Sequence, residues 1–315
     1  MIAVVVDDGR LRLVERPTPV PGPDDVVVEV ASAGVNAADL LQRSGHYPAP
    51  SGSPADVPGL ELAGVVTSIG ERLDPGLVGR RVCAIVGGGA QASHCVVPAE
   101  HLIAVPDDVD LVAAGGFAEA FLTAHDALVS QAALVAKDRV LISGAAGGVG
   151  TAAVQIAAQR GAHVVAVTRS STFHEELRRL GAAETVTLDE VASIEPVDVV
   201  LELVGASHLS LAQRVLAPRA RVVVIGVGGG SHVDLDLLAV MSRRATLTGS
   251  TLRSRTRAEK AAVSERARHD LYDDWSSGAL RVVLAAAFPL AAVADAYDYF
   301  AQPGKFGKIV LQPVS

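Results

Sequence analysis

A short glycine-rich segment carries the clearest chemical signal in the sequence. Its spacing, Ala145-x-Gly147-x-x-Gly150, is that of a dinucleotide-binding turn with the first glycine replaced by alanine. Glycines in such a turn let a pyrophosphate approach backbone N–H groups and the positive end of a helix dipole. A plain tight turn is the alternative interpretation. The residues expected to bind the cofactor here are Ala145, Gly147, Gly148, Val149 and Gly150.

The residues about 20 positions beyond these glycines indicate which dinucleotide is bound. Folds that bind NAD place an Asp or Glu there, against the ribose 2′-hydroxyl. This chain has Thr168, Arg169 and Ser170 instead, and a guanidinium flanked by hydroxyls suits a 2′-phosphate. The pattern favours NADPH over NADH, with a solvated loop cation as the alternative role of Arg169.

A strand, the turn, a helix and a second strand must position these residues. Val140 to Ile142 is typical of a buried strand, Val149 to Ala157 has apolar residues at helical spacing, and His163 to Arg169 supplies the second strand. Strands and helices then continue to alternate, which predicts a parallel, doubly wound α/β sheet. The later elements expected are helices at Phe173 to Leu180 and Leu209 to Leu216, and strands at Val197 to Leu203, Arg221 to Ile225 and Ala245 to Gly249.

The remainder of the chain has a different pattern. Residues 1–111 contain short Val-rich runs separated by turn signals, which is typical of an irregular all-β barrel. After a charged helical stretch at Arg255 to Ser277, strands at Val282 to Ala287 and Lys308 to Leu311 flank a helix at Ala291 to Phe300. This pattern predicts that the C-terminal part of the chain belongs to the first domain. We therefore expect a dinucleotide domain at 112–254 inserted into a partner domain formed by 1–111 and 255–315.

Composition excludes several classes of protein. The 315 residues carry a net charge of −8 with mixed signs, so there is no basic stripe for nucleic acid and no polybasic membrane anchor. Cys83 and Cys95 are too few for a disulfide framework. The N-terminus lacks the basic region of a secretion signal, and the apolar stretch Val282 to Ala294 is too short to span a bilayer. We expect a soluble, cytoplasmic protein acting on a small molecule.

An ordered series of motifs covers nearly the whole chain and resembles one family. The motifs are Ala33 to Pro48, Val57 to Val66, Gly79 to Val82, Gly87 to Gly89, Gly144 to Gly150, Leu180 to Ala182 and Gly307 to Leu311. Together they resemble the zeta-crystallin-like, zinc-independent quinone oxidoreductases of the medium-chain dehydrogenase/reductase superfamily. The resemblance implies a GroES-like substrate domain and a Rossmann dinucleotide domain, with the active site in the cleft between them.

The metal ligands of zinc-dependent relatives are missing from the matching positions. Those relatives use a Cys, a His in a Gly-His-Glu motif and a further Cys or acidic residue. This chain has Asn36, has Leu60 before Glu61, and has no Cys in the stretch Gly115 to Phe117. An amide and an isobutyl group cannot supply the thiolate and imidazole that zinc needs. We expect no metal and therefore hydride transfer from NADPH to a conjugated carbonyl.

The resemblance also implies roles for particular side chains. Asn36 is expected beside the nicotinamide, donating a hydrogen bond to the substrate or the ribose, and Tyr47 is expected to protonate or hold the oxyanion. A lid aromatic is the alternative role of Tyr47. Asp39 and Arg43 are expected to form an ordinary i,i+4 ion pair. Further cofactor-binding positions, which also lie where strand ends bind ligands, are Thr123, Gly205, Gly226 and Val227.

Two further expectations concern assembly and substrate. The apolar edge strand at 245–250 predicts a homodimer, because pairing with a second copy covers an exposed sheet edge. The stretch Gly88 to Ser93 lacks an aromatic and a carboxylate that relatives carry, which weakens any inference about the substrate. The sequence predicts an NADPH-dependent quinone reductase, with an enoyl or alkenal double-bond reductase as the alternative and a non-catalytic NADPH-binding structural or sensor protein as the alternative of another class.

Overall fold

The chain divides into two compact units, and the computed structural model describes residues 1–313. Unit 1 consists of Met1–Leu122 together with the chain from Leu252 onward, and unit 2 is Thr123–Thr251. The first boundary falls later than the sequence prediction of 112. Within unit 1, the Phe117 ring stacks on the Trp275 indole at a centroid distance of 3.8 Å, and this packing joins the segment before Thr123 to the C-terminal part of the chain.

The described residues form fifteen strands and nine α-helices. The strands are β1 (Ile2–Asp7), β2 (Arg10–Glu15), β3 (Asp25–Val35), β4 (Glu61–Ile69), β5 (Arg81–Ile85), β6 (His94–Pro98), β7 (Ile103–Ala104), β8 (Arg139–Ile142), β9 (His163–Thr168), β10 (Glu184–Thr187), β11 (Val197–Glu202), β12 (Leu216–Val224), β13 (Thr246–Gly249), β14 (Leu284–Pro289) and β15 (Lys308–Gln312). The helices are α1 (Ala37–Arg43), α2 (Leu111–Ala114), α3 (Ala118–His125), α4 (Gly148–Gln159), α5 (His174–Arg179), α6 (Ala206–Ala212), α7 (Leu237–Arg243), α8 (Arg257–Ser276) and α9 (Val293–Ala301).

Unit 1 is built on a mixed sheet of seven strands in the order β14-β15-β3-β4-β5-β7, with β6 also paired to β3. The long strand β3 has Val26, Val28 and Val30 buried in one hydrophobic cluster, because side chains at alternate positions of a strand share a face. Strands β14 and β15 pair in parallel, and β15 pairs with β3. The tail therefore returns to the first part of the chain, and its last strand places Lys308 next to β3.

Unit 2 is a parallel sheet of six strands in the order β10-β9-β8-β11-β12-β13. The chain starts in the middle at β8, moves outward through β9 and β10, and then returns to the other side of β8 at β11. This order is that of the Rossmann fold, in which ligands bind at the carboxyl ends of the strands where the order reverses. The predicted fold class, a GroES-like domain with a Rossmann domain, is confirmed.

One predicted helix has different bounds, and strand β10 and helix α7 were not predicted. The helix expected at Leu209 to Leu216 covers Ala206–Ala212 instead, and Leu216 already belongs to β12. The predicted end of the helix was misplaced because apolar residues continue from the helix into the buried strand without a change in periodicity. Strand β10 was not predicted, since four residues give too short a pattern. Cys83 and Cys95 are buried and unbonded to each other. Among residues 1–313, no helix combines the length and apolarity needed to cross a bilayer.

Candidate functional site

The predicted glycine turn of unit 2 lies between β8 and α4. Gly147 is the N-cap of α4, and no side chain caps this end of the helix. The turn is tight, because a Cβ atom at Gly150 would lie 2.4 Å from the Gly144 carbonyl oxygen. A Cβ at Gly147 would approach only that same oxygen, at 3.4 Å. Gly150 thus permits the close packing, whereas Gly147 leaves the N-terminus of α4 open.

An open, uncapped helix N-terminus fits the pyrophosphate of a dinucleotide. The first N–H groups of a helix have no partner within the helix, and the helix dipole favours negative charge there. Gly147, Gly148 and Val149 lie at this end of α4. Ala145 is fully buried and its N–H donates to the Val167 carbonyl oxygen at 3.1 Å, so its contribution is to the shape of the turn.

The predicted 2′-phosphate residues lie directly after β9. The Thr168 hydroxyl is buried and donates to the Ser170 carbonyl oxygen at 2.8 Å, which fixes the loop. Arg169 and Ser170 are exposed, so their side chains can reach a ligand in solvent. The loop therefore presents a cation and a hydroxyl at the carboxyl end of β9, next to the strand that precedes the glycine turn.

A buried carboxylate that the sequence analysis missed joins the ends of β8 and β11. Oε1 of Glu202 accepts hydrogen bonds from the Ser143 hydroxyl at 2.6 Å and from the N–H groups of Val204 and Gly205 at 2.7 and 2.8 Å. Glu202 is fully buried. A Glu at the end of a largely apolar strand was the available signal, because Glu is rarely buried without partners.

The other predicted cofactor residues of unit 2 lie near this carboxylate. The N–H of Gly226, which follows β12, donates to the Glu202 carbonyl oxygen at 3.2 Å. Gly205 has a φ of +114° and packs so closely on Val227 that an added Cβ would lie 2.9 Å from the Val227 Cα. Gly205, Gly226 and Val227 therefore meet at the carboxyl ends of β11 and β12, as the topology requires.

Six buried side-chain polar atoms in unit 2 have no hydrogen-bond partner within residues 1–313, and Oγ1 of Thr123, Oε2 of Glu202 and Nδ1 of His208 are three of them. Burying polar atoms without partners is costly, so such atoms point to an additional hydrogen-bonding group. The hydroxyl and carboxamide groups of a nicotinamide nucleotide have the required donors and acceptors. The residues of unit 2 therefore fit a dinucleotide.

Asn36 in unit 1 belongs to a network with Glu61 and Lys308. The Lys308 ammonium donates to the Asn36 side-chain oxygen at 2.7 Å and to Oε1 of Glu61, and the Asn36 amide donates to the same Glu61 oxygen at 3.0 Å. Oε2 of Glu61 accepts from the Glu119 N–H at 2.8 Å. Because an amide nitrogen has two hydrogens, Asn36 keeps one donor for a ligand while the network fixes its orientation.

The predicted ion pair between Asp39 and Arg43 is wrong. Asp39 is fully buried and accepts from the N–H groups of Asn36 at 2.8 Å and Gly59 at 3.1 Å. The Arg43 guanidinium donates to the Gly9 carbonyl oxygen at 2.9 Å instead. Helical spacing suggested an exposed pair, but the carboxylate of Asp39 faces inward, to cap its own helix. Burial raises the pKa of Asp39 to about 6, against the effect of these hydrogen bonds.

Glu119 is a second acid that sequence reasoning missed. It follows Phe117, which is fully buried, at the start of α3. Burial of its carboxyl group and the neighbouring Glu61 carboxylate together raise the pKa of Glu119 to about 8. The group is therefore mostly protonated at neutral pH. It adjoins the network of Asn36, Glu61 and Lys308 through its own N–H bond to Glu61.

Arg253 connects the loop that contains Tyr47 to other parts of unit 1. The buried guanidinium donates to the carbonyl oxygens of Gly87 and Tyr47, both at 3.0 Å, and to the Gln42 side chain. It also lies over the Tyr47 ring, 4.9 Å from the centroid, which is a cation–π distance. Tyr47 is half-buried. Its position is thus determined by a residue that lies 206 positions away in sequence.

The positions that bind zinc in relatives have other uses in this chain. Lys308 lies against the Asn36 oxygen, Leu60 is buried in the core, and Phe117 is stacked on Trp275. Within residues 1–313, no group of three or more His, Cys, Asp or Glu side chains could hold a metal ion. The side chains of Asn36, Leu60 and Phe117 do not include the thiolate or imidazole groups that usually bind zinc.

Comparisons with known proteins agree with this arrangement. The family model "Alcohol dehydrogenase GroES-like domain" matches residues 22–132, and "Zinc-binding dehydrogenase" matches residues 148–267. A 2-haloacrylate reductase from a Burkholderia species is 30% identical over 93% of this chain and 92% of its own length. The chain belongs to the medium-chain dehydrogenase/reductase superfamily. Its similarity to quinone oxidoreductases, predicted from the motifs, is confirmed as well.

Other members of the superfamily match over their full length or in part. A quinone oxidoreductase from Lama guanicoe is 29% identical over 93% of this chain and 90% of its own. A phenolphthiocerol/phthiocerol polyketide synthase subunit from Mycobacterium tuberculosis is 34% identical, but the chain spans only 14% of its length. A mycobacterial protein solved in complex with NADPH is 26% identical with a TM-score of 0.88, covering 99% of this chain and 100% of its own.

Proposed function

We propose that the chain transfers hydride from NADPH to a quinone without a metal ion. The observation that carries the proposal is the pair of features at the sheet of unit 2: an uncapped helix N-terminus at Gly147, and an exposed Arg169 where NAD-binding folds have a carboxylate. The similarity to quinone oxidoreductases and to a protein solved with NADPH supports it. Bound NADPH would supply the hydride.

Residues of unit 2 would hold the cofactor. The N–H groups at the start of α4 would bind the pyrophosphate, and Arg169 with Ser170 would bind the 2′-phosphate. Thr123 and Glu202, through the unpartnered Oγ1 and Oε2 atoms, and the loops at Gly205 and Gly226 would bind the nicotinamide nucleotide. In this assignment the positive end of the helix dipole binds the negatively charged pyrophosphate, and the buried acceptor atoms bind hydroxyl groups of the nucleotide.

Residues of unit 1 would act on the substrate. Asn36 would donate its remaining amide hydrogen to the substrate oxygen or to the ribose, held in place by Lys308 and Glu61. Tyr47 would hold or protonate the oxyanion that develops, and the Arg253 guanidinium lies over its ring at 4.9 Å from the centroid. Lys308 supplies a fixed positive charge near Asn36, where zinc-dependent relatives use a metal.

A second reaction is supported by two of the comparisons. Reduction of the double bond of an α,β-unsaturated carbonyl needs the same hydride donor and the same stabilisation of an oxyanion. The relatives described as a 2-haloacrylate reductase and as a polyketide synthase subunit favour such a substrate. An enoyl or alkenal reductase is therefore the alternative to a quinone reductase.

The test is oxidation of NADPH and of NADH by the purified chain in the presence of a chelator. The acceptors are 1,4-benzoquinone, 9,10-phenanthrenequinone and a set of enones. We expect turnover with NADPH that the chelator does not abolish, and a higher kcat/KM for quinones than for enones. The reverse order of acceptors would select the double-bond reductase. Tight NADPH binding with no turnover on any acceptor would favour a non-catalytic role and contradict the proposal.

We also propose that the protein is cytoplasmic and forms a homodimer. Strand β13 is the edge of the sheet of unit 2, and Leu247 on it is 48% exposed. Pairing with a second copy would cover this edge and its apolar side chain. Sedimentation of the wild-type chain and of Leu247→Lys should give a dimer and a monomer, respectively. A monomeric wild-type chain would contradict the proposed dimer.

A further inference from the structure

The carboxyl group of Glu119 in unit 1 is an acid to which the proposed hydride transfer has so far given no role. Glu119 is the second residue of α3 and is half-buried. Within residues 1–313 its carboxyl group forms no hydrogen bond, and neither of its oxygens is among the buried atoms that lack a partner. Both oxygens are therefore accessible, so the group can contact a small molecule.

The Glu61 carboxylate places Glu119 next to Asn36. Oε2 of Glu61 accepts from the Glu119 N–H at 2.8 Å, and Oε1 accepts from the Asn36 amide at 3.0 Å. Glu61 is fully buried, and the Lys308 ammonium also donates to its Oε1. Glu119 and the Asn36 amide thus lie on the two oxygens of one fixed carboxylate. A ligand oxygen that accepts the remaining hydrogen of the Asn36 amide would lie close to Glu119.

Ionisable groups from several elements of unit 1 surround Glu119. They are Asp39 of α1, Glu61 of β4, Arg253 before α8, Lys260 in α8 and Lys308 of β15. Burial is the largest cause that raises the pKa of Glu119 to about 8, and the two carboxylates add to it against the effect of the cations. At pH 7 the group is mostly a neutral acid. Its O–H hydrogen has no acceptor among the described residues.

The proposed reaction needs a proton as well as a hydride. The hydride carries two electrons and one hydrogen from NADPH, which becomes NADP⁺, and it leaves negative charge on an oxygen of the reduced acceptor. A neutral carboxylic acid beside that oxygen donates a hydrogen bond that strengthens as the charge develops. It can then transfer its proton, as a general acid does. An accessible, neutral acid next to Asn36 has both properties.

We propose that Glu119 is the general acid of this reductase and donates its carboxyl proton to the acceptor oxygen that Asn36 binds. The O–H bond of Glu119 breaks, an O–H bond forms on the acceptor, and the resulting carboxylate takes up a proton from water. Tyr47 then holds the oxyanion through a hydrogen bond and keeps its own proton. The same step converts the enolate of an enone into an enol. The inference rests on the proposed reductase function.

The first test is the pH dependence of turnover by Glu119→Gln, which keeps the size of the side chain but has no acidic proton. With NADPH and 9,10-phenanthrenequinone at pH 7, we expect kcat to fall by at least about 100-fold, whereas KM for NADPH changes by less than about three-fold. Wild-type kcat/KM for the quinone should fall by about ten-fold per pH unit above pH 8, because the acid form of Glu119 is lost there. The variant should lack this decrease.

Three further variants identify the proton donor. Glu119→Asp retains a carboxylic acid and should restore part of kcat together with the decrease at high pH. Tyr47→Phe should lower kcat but keep that decrease. Glu71→Gln removes a carboxylate from an exposed position and should behave as the wild-type chain does. Thermal melting of each variant checks that it folds.

Infrared difference spectroscopy tests the contact without turnover. The whole chain is saturated with NADP⁺, which carries no hydride to transfer, and 9,10-phenanthrenequinone is then added. The C=O band of the protonated Glu119 carboxyl group is the band that Glu119→Gln lacks at pH 7, and it should disappear as the pH rises through about 8. Addition of the quinone should shift this band, because the O–H group gains an acceptor.

Two results would overturn the proposal. One is a Glu119→Gln chain with the kcat and pH profile of the wild type, and the other is a Glu119 band that the quinone does not shift. Loss of the high-pH decrease in Tyr47→Phe alone would assign the proton to Tyr47. The proposed function fails in a different way, since the wild-type chain would then oxidise NADPH with none of the acceptors.

Discussion

Glu61 in unit 1 and Glu202 in unit 2 are both fully buried, but their carboxylates are satisfied in different ways. Glu61 uses both oxygens, which accept from the Asn36 amide, the Lys308 ammonium and a backbone N–H. Glu202 accepts three donors on Oε1 and, within residues 1–313, none on Oε2. A cation thus balances the first carboxylate, whereas the second retains an open acceptor.

The difference indicates separate roles for the two networks. A buried charge whose partner is removed costs several kcal/mol of stability, so the network of Glu61 should matter first for folding. The open acceptor and the uncapped helix of unit 2 are polar groups that a ligand would satisfy. Changes there should alter cofactor affinity more than stability. Four substitutions test this difference between the two networks, and the one with the largest expected effect comes first.

Lys308→Met should have the largest effect, because it leaves the Glu61 carboxylate buried without its cation. We expect the free energy of unfolding, measured with urea, to fall by about 3–5 kcal/mol. Adding Glu61→Gln to this variant removes the uncompensated charge and should restore part of the loss. A Lys308→Met chain as stable as the wild type would show that Lys308 does not stabilise the Glu61 carboxylate.

Glu119→Gln should change how stability depends on pH. The pKa of Glu119 in the folded chain is about 8, above its ordinary value of 4.5. The folded state therefore binds more protons than the unfolded state between these values, and wild-type stability is lost as the pH rises through 8. Relative to Glu119→Gln, the wild-type unfolding free energy should fall by on the order of 1 kcal/mol per pH unit from pH 6 to 8.

A control identifies the group responsible. Glu71 is exposed, and Glu71→Gln should leave the pH dependence of unfolding as in the wild-type chain. If the Glu119→Gln chain keeps the wild-type slope between pH 6 and 8, another group is responsible for the titration.

Gly147→Ala should weaken cofactor binding without lowering stability. The added methyl group meets only the Gly144 carbonyl oxygen, at 3.4 Å, and φ at this position is −78°, which alanine adopts readily. The methyl group would occupy the space proposed for the pyrophosphate, so we expect the NADPH Kd to rise about ten-fold. Fluorescence titration measures the affinity, and Gly249→Ala, where an added Cβ meets nothing within 4 Å, is the matched control. An unchanged Kd would locate the phosphates elsewhere.

Arg169→Ala should have the smallest effect and should discriminate between cofactors. The side chain is exposed, so its ion pair with a 2′-phosphate is screened by solvent. We expect the Kd for NADPH to rise about five-fold, which corresponds to about 1 kcal/mol. The Kd for NADH should stay the same. An equal change for both cofactors would remove the basis for preferring NADPH.

The sequence predicts structure best where the signal is local. Gly147 and Gly150 lie in one strand–turn–helix segment of the Rossmann fold. The residues of this segment are close together in sequence, so the local pattern predicts the turn. The fold class followed from such units and from the motifs. The chain order of unit 2 then explains why the loops at Gly205 and Gly226 meet.

The network of unit 1 could not be predicted in this way. Lys308 and Asn36 are 272 positions apart and Arg253 and Tyr47 are 206 apart, so no local pattern connects them. For Asp39 and Arg43 the error is the opposite. Their local spacing predicted an ion pair, but the Asp39 carboxylate is buried and accepts from backbone N–H groups instead. Glu119 was not identified from the sequence, because only its surroundings in the folded chain raise its pKa.

The most direct test of the account is a single-turnover reaction of the chelator-treated chain. The chain is loaded with NADPH, or with NADPH deuterated at the transferred position, and mixed with 9,10-phenanthrenequinone while the absorbance of the reduced nicotinamide is followed. Hydride transfer without a metal predicts complete oxidation of the bound NADPH, at a slower rate with the deuterated cofactor. Bound NADPH that stays reduced in the presence of chelator, and is oxidised only after zinc is added, would contradict it.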